Sequence, residues 1–207
     1  MQISWHGLGC FEIVTKTSVG EVTVVTDPYD PSTGLRTRAL EAHLVTVSGK
    51  GSDNVGSVGN HPFVVDMPGE FEVKGVFAYC LAAPTKAGST LLTRLESEDM
   101  TIAHLGSLDR ALTDEELEHL KKIDILMVPV GGGRVLDAKK AAEAVAQVEP
   151  RVVIPMTYAV DSLKEKLDGV DAFTKALGAA RKEEAGKYKV SKKDLPAEDM
   201  LLVVLSR

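Results

Sequence analysis

The chain has 207 residues, 44% of them hydrophobic, which is enough apolar surface for one sizeable core, and residues 1–207 are read as a single domain. Its formal net charge of −6 argues against a face for nucleic-acid phosphates and against an anionic membrane surface. No basic leader precedes an apolar segment, and no apolar run is long enough to span a bilayer, so a cytoplasmic chain is expected.

Short stretches rich in β-branched residues, bounded by Gly or polar turns, predict strands over residues 2–5, 11–15 and 21–26. Pro28 and Pro31 then break the pattern, because each lacks a ladder donor, and Asp27 is expected to cap the turn they form. A short helix over 36–42 and a strand over 44–48 follow. Residues 49–60 contain four glycines and little apolar surface, a loop long enough to suggest function. Strands are expected at 63–66 and 71–81 around the turn Met67-Pro68-Gly69, then at 90–95 and 100–104.

The second half alternates. Thr113 and Glu116 have capping-box spacing and open a helix to about residue 122. A buried strand at 123–130 ends in Gly131-Gly132-Gly133. The helix at 137–148 carries Ala138, Ala141, Ala142 and Val145 at helical spacing. A strand at 151–156, helical stretches at 161–167 and 170–177, and a last strand at 200–205 complete the pattern. The charged stretch 179–197 reads as a solvated excursion. Strands followed by β/α alternation predict a layered α/β fold.

Several stretches, taken together and in order, resemble the metallo-β-lactamase superfamily, and within it the small Zn-dependent hydrolases related to the ascorbate-phosphate lactonases. They are Trp5-His6-Gly7-Leu8-Gly9-Cys10-Phe11, Thr26-Asp27-Pro28-Tyr29, Pro68-Gly69-Glu70-Phe71-Glu72-Val73-Lys74-Gly75-Val76, His104-Leu105-Gly106-Ser107-Leu108, Leu112-Thr113-Asp114-Glu115, Val128-Pro129-Val130-Gly131-Gly132 and Ile154-Pro155-Met156-Thr157-Tyr158. The match covers residues 1 to 160. The resemblance implies an αββα sandwich, two facing sheets flanked by helices, with the active site where strand-end loops converge. It also implies a zinc, iron or manganese hydrolase.

The implied ligand positions are almost all replaced. The family loop His-x-His-x-Asp-His falls on Gly49, Gly51, Asp53 and Asn54, keeping only the Asp. The bridging Asp corresponds to Ser107, the last His to Thr157 and the opening His to Leu8. A further His is expected just after Leu81, and Ala82-Ala83-Pro84-Thr85-Lys86 contains none. One carboxylate does not approach the four ligands zinc needs, so neither a bound metal nor another cofactor is expected. The substitutes are small or polar, which suits a retained, wet cleft. An oxygen-rich site for a hard cation built from Asp53, Asn54, Ser107 and Thr157 is the remaining metal option.

Other candidates are weaker. His61 ends the glycine loop and could overhang the cleft; His104 and Tyr158 could touch a ligand there. His6 reads as structural or surface, and His43 and His119 as helix-surface residues. Ser48, Ser52 and Ser57 lack a His partner. Gly131-Gly132-Gly133 resembles a phosphate-cradling turn but has no following Lys-Ser/Thr. Glu70 and Glu72 share a solvated face, and Cys10 and Cys80 are buried thiols. The favoured function is a catalytically inactive member with a binding, scaffolding or assembly role, its partner a small molecule or a protein, forming a homo-oligomer. The alternatives are a divergent hydrolase using the same cleft and a binder of an anionic metabolite.

Overall fold

The computed structural model describes residues 1–179 and 181–207. Its strands are β1 (Gln2–Gly7), β2 (Cys10–Thr17), β3 (Gly20–Thr26), β4 (Leu40–Glu41), β5 (Leu44–Thr46), β6 (Val58–Gly59), β7 (Phe63–Val65), β8 (Gly69–Val73), β9 (Val76–Thr85), β10 (Gly88–Ser97), β11 (Met100–His104), β12 (Ile125–Pro129), β13 (Val152–Met156), β14 (Arg181–Ala185), β15 (Tyr188–Lys189) and β16 (Leu201–Leu205). The helices are α1 (Asp114–His119), α2 (Ala138–Val148) and α3 (Val170–Leu177).

A six-stranded sheet runs β15-β1-β2-β3-β5-β7, and an eight-stranded sheet runs β14-β16-β13-β12-β11-β10-β9-β8. Each begins as antiparallel hairpins and continues in parallel, at β3-β5-β7 in one and at β11-β12-β13-β16 in the other. Parallel neighbours need crossovers; α1 lies between β11 and β12, and α2 between β12 and β13. One apolar cluster draws Ile3, Phe11, Ile13, Val22 and Val24 from the first sheet and Leu92, Ile102, Leu126 and Val203 from the second, so the sheets face each other across it. β12 and β13 are buried at every residue, as strands covered on both faces must be.

The period of two along β2 and β3 sorts residues between this core and a second one. Phe11, Ile13 and Val24 point inward, while Cys10 and Val25 join Tyr29, Leu35, Val45 and Val58 on the other side. That outer layer is built from residues 28–43 and 47–60, which flank β5 and include two 3₁₀ turns, Pro31–Thr33 and Val55–Ser57.

Four sequence expectations are corrected. Residues 36–42 are not helical: Leu40–Glu41 pairs in parallel with Val58–Gly59, and the Ala42 amide bonds Gly59 O at 3.3 Å. Residues 161–167 are not helical either, because Lys164 N reaches Thr33 O at 2.9 Å and ties this stretch to the outer layer. The stretch 71–81 is two strands, since Lys74 (φ 51°) and Gly75 (φ 79°) make the two-residue turn that hairpins favour. The charged stretch 179–197 supplies β14 and β15, which close one edge of each sheet. The capping box is present: Thr113 Oγ1 accepts from the Glu116 amide and Glu116 Oε2 from the Thr113 amide. Among the described residues, no helix is long and apolar enough to cross a membrane.

Candidate functional site

The ends of β3, β5 and β11 meet around one buried carboxylate. Asp27, only 3% exposed, turns back from β3 with φ 43°. Its Oδ1 accepts from the Ser48 amide at 2.7 Å and its Oδ2 from the Ser48 hydroxyl at 2.6 Å. Burial pushes the Asp27 carboxyl up; His104, the Ser48 hydrogen bonds and the Arg134 charge pull the other way without reversing it. The expected turn cap at Asp27 is therefore corrected. Asp30 caps that turn, accepting from the Ser32 amide at 2.8 Å, and Asp27 joins two strand ends instead.

His104 lies beneath. Its Nδ1 accepts from the Gly106 amide at 3.1 Å, so Nε2 carries the proton and donates to Gly9 O at 2.9 Å. Nε2 is also 3.9 Å from Asp27 Oδ2. Ser48, Asp27 and His104 thus adjoin in an order that does not make a nucleophilic triad, since the hydroxyl is bound by the carboxylate and the imidazole by a carbonyl. Leu8 (φ 50°) and Thr157 (φ 52°) complete the floor, with Thr157 N donating to Leu8 O at 3.2 Å. Three non-glycine residues in left-handed backbone at one site, one of them β-branched, mark stored strain of the kind that collects at functional sites.

Above this floor opens a cleft of about 800 Å³. Leu8, Gly49, Gly51, Asp53 and Ser107 line it, as expected of family ligand positions. Asn54 does not: its side-chain amide is turned away to Tyr29 O at 3.1 Å. Thr157 lies buried behind Leu8. None of the three candidate ligand contacts lines the cleft. His61 is exposed and does not overhang it; His104 is sealed under Asp27. Tyr158 stacks on Trp5 at 4.7 Å, donates to Leu205 O at 3.3 Å and faces another pocket.

Sequence reasoning passed over Arg134. The turn Gly131-Gly132-Gly133, with positive φ at Gly132 and Gly133, carries it over the cleft. A side chain at Gly131 would collide with Thr157 O, so the turn must be glycine for packing and not for a phosphate. The Arg134 guanidinium donates through Nη1 to Ser107 Oγ at 3.1 Å and through Nε to Glu165 Oε1 at 2.7 Å. A fixed organic cation is therefore bonded to the residue standing at the bridging-Asp position. Lys50 and Arg134 face four carboxylates in the lining, Asp27, Asp53, Asp66 and Glu165.

The metal implied by the resemblance does not fit this donor set. Gly49 and Gly51 offer no side chain, both Asp27 oxygens are taken by Ser48, and Arg134 is bonded to Ser107. Among the described residues, no three His, Cys, Asp or Glu groups come together to hold a metal.

Of the remaining candidates, His6 is buried beside Trp5. His43 precedes β5, not on a helix, and its Nδ1 accepts from the Thr23 amide at 3.1 Å. His119 ends α1 half-buried, and burial pushes its imidazole down. Glu70 and Glu72 are exposed, and Cys10 and Cys80 are free and buried.

Two facing mixed sheets with a cleft at their strand ends define the metallo-β-lactamase type of fold. The match to the β-lactamase superfamily domain covers residues 2–157, and the chain belongs to that superfamily. A crystal structure from Thermotoga maritima, classed with the Zn-dependent hydrolases of the metallo-β-lactamase superfamily, superposes with a TM-score of 0.83 at 30% identity, covering 100% of this chain and 99% of that one. A UPF0173 protein of Pyrococcus abyssi is 24% identical over 188 residues, which cover 76% of this chain and 83% of the relative. A UPF0173 metal-dependent hydrolase of Thermococcus onnurineus is 25% identical over 195 residues, covering 76% and 84%.

Proposed function

We propose that this chain is a superfamily member in which the cleft has become a metal-free binding site, without the metal-dependent hydrolysis that names its relatives. The observation that carries the reading is the Arg134 guanidinium, bonded to Ser107 where the family has a bridging carboxylate. A cation held there by Glu165 repels a second cation, and its charge answers part of the Asp27, Asp53 and Asp66 carboxylates in the metal's stead. The cleft volume of about 800 Å³ suits a small molecule. Its excess of carboxylates favours a neutral, hydroxyl-rich occupant over an anionic metabolite.

The test is elemental analysis of protein purified without chelator, joined to hydrolysis assays with added zinc, iron and manganese. Substoichiometric metal and no metal-stimulated turnover are expected. A stoichiometric metal whose removal abolishes hydrolysis would replace this reading with the divergent hydrolase. A thermal-shift screen of polyols, amines and phosphosugars, repeated on Arg134→Gln, then identifies the class of occupant.

A further inference from the structure

A second pocket, sharing no lining residue with the cleft, lies between β1 and the link that joins β14 to β15. It encloses about 230 Å³ and is lined in part by Ser4, His6, Glu12, Arg38, Lys187 and Arg207. It adjoins a groove of about 530 Å³ that shares Arg38 and Arg207 and adds Arg36 and Thr37.

Two observations mark the pocket as a site. Ser4 and His6 are 4% and 6% exposed, yet Ser4 Oγ and both His6 ring nitrogens lack a hydrogen-bond partner among the described residues. Buried polar groups are nearly always paired, so these three atoms face a partner the protein itself does not supply, a solvent molecule or a ligand. Independently, the lining carries three side-chain cations, Arg38, Lys187 and Arg207, against one side-chain carboxylate, Glu12. No ion pair among the described residues engages any of the three. This excess of positive charge stands in a protein of net charge −6.

The geometry is prepared for an oxyanion. Arg207 donates Nε to His6 O at 2.8 Å and Nη2 to Arg36 O at 3.2 Å, which fixes the guanidinium plane and leaves Nη1 for another acceptor. Two guanidiniums suit the forked recognition of phosphate oxygens, and the ammonium adds a point charge. Glu12 Oε2 stands 3.8 Å from His6 Nε2, beyond hydrogen-bond length.

We propose that this pocket binds the phosphate group of a small phosphorylated molecule, between Arg38, Lys187 and Arg207, with Ser4 and His6 as the buried polar contacts. The rest of the molecule lies along the groove at Arg36 and Thr37. The site is independent of the cleft and of the function proposed for it.

The test is calorimetric titration of the whole chain at low ionic strength with inorganic phosphate, glycerol 3-phosphate and chloride. Saturable binding of phosphate and tighter binding of the ester are expected, with none for chloride. The double variant Arg38→Gln/Lys187→Gln changes two exposed residues and should weaken both at least tenfold without lowering the melting temperature. The His6 imidazole resonances should move on adding phosphate to the wild type and stay put in the variant. Wild type that ignores phosphate, or a double variant that binds it as well as wild type, overturns the proposal. So does loss of binding in Arg134→Gln, which would place the anion in the cleft.

Discussion

Gly106 lies between His104 and Ser107, and its replacement by alanine measures how tightly the floor of the cleft is held. The residue has φ 54°. An alanine there would incur the left-handed penalty, roughly 1–2 kcal/mol. Its Cβ would run into Thr90 Oγ1 and stand 2.8 Å from both Leu91 O and Ser48 Cβ. Moving the Thr90 hydroxyl breaks the bond it accepts from the Ser107 amide at 2.9 Å. That loss is worth about 1 kcal/mol. Overpacking against Leu91 O and Ser48 Cβ, neither of which can rotate away, adds roughly 1–3 kcal/mol. The total, roughly 3–6 kcal/mol, is a large share of the stability of an ordinary domain. Urea unfolding followed by circular dichroism reads it directly. Gly56→Ala is the control, since its Cβ would meet nothing within 4 Å. That change should stay within about 0.5 kcal/mol of wild type. If Gly106→Ala also lies within about 1 kcal/mol, with unchanged slope, the floor is not a rigidly packed, over-determined structure.

Three further outcomes are expected. Because the Asp27 carboxyl is raised on folding, its contribution to stability is fully present below the unfolded value near ~3.9 and is lost as pH rises through the higher folded value. Asp27→Asn keeps an acceptor for the Ser48 amide and tolerates the left-handed backbone; its stability should fall less than that of wild type as pH rises above about 4, and a steeper fall in guanidinium midpoints contradicts the assignment. Gly49→His, Ser107→Asp and Thr157→His together with Arg134→Ala should bind zinc at least roughly tenfold more tightly than the same three changes with Arg134 kept; equal affinities in calorimetry would show that the guanidinium does not hold the metal's place. Burial first, then the Asp27 and Glu12 charges, push the Cys10 thiol up, and burial raises Cys80. Neither should react with Ellman's reagent before unfolding, and fast labelling of the native protein would refute their inert packing.

The strand-and-helix order was largely legible because it follows short-range signals: alternation in β2 and β3, the continuous apolar runs of β12 and β13, and the capping box before α1. The two false helices, at 36–42 and 161–167, had adequate helix formers, but their backbones bond to distant partners, Gly59 and Thr33, that no local pattern reveals. Gly75 hints at the turn with Lys74, but the uniformly strand-like residues on either side mask it. In the cleft, the lost ligands could be read one by one from motif positions. What took their place could not. Arg134 meets Glu165 across 31 residues and Ser107 across 27. Asp27 and Ser48 join through a pairing of strand ends 21 residues apart. Such partners follow from the fold, and the fold is what a single sequence leaves implicit.

The strap formed by residues 181–189 has a consequence for the whole molecule. β14 completes one sheet, β15 completes the other, and only Gly186 and Lys187 separate them. Two sheet edges are thus shut by one short piece of chain, and neither can fray without tugging on the other. Lys187 sits on that hinge opposite Arg38 of the outer layer, so an anion gripped between them would clasp the strap to the body. Its binding free energy would then count towards keeping both seams closed, and the occupancy of a small surface pocket would be felt as resistance to unzipping along two edges at once.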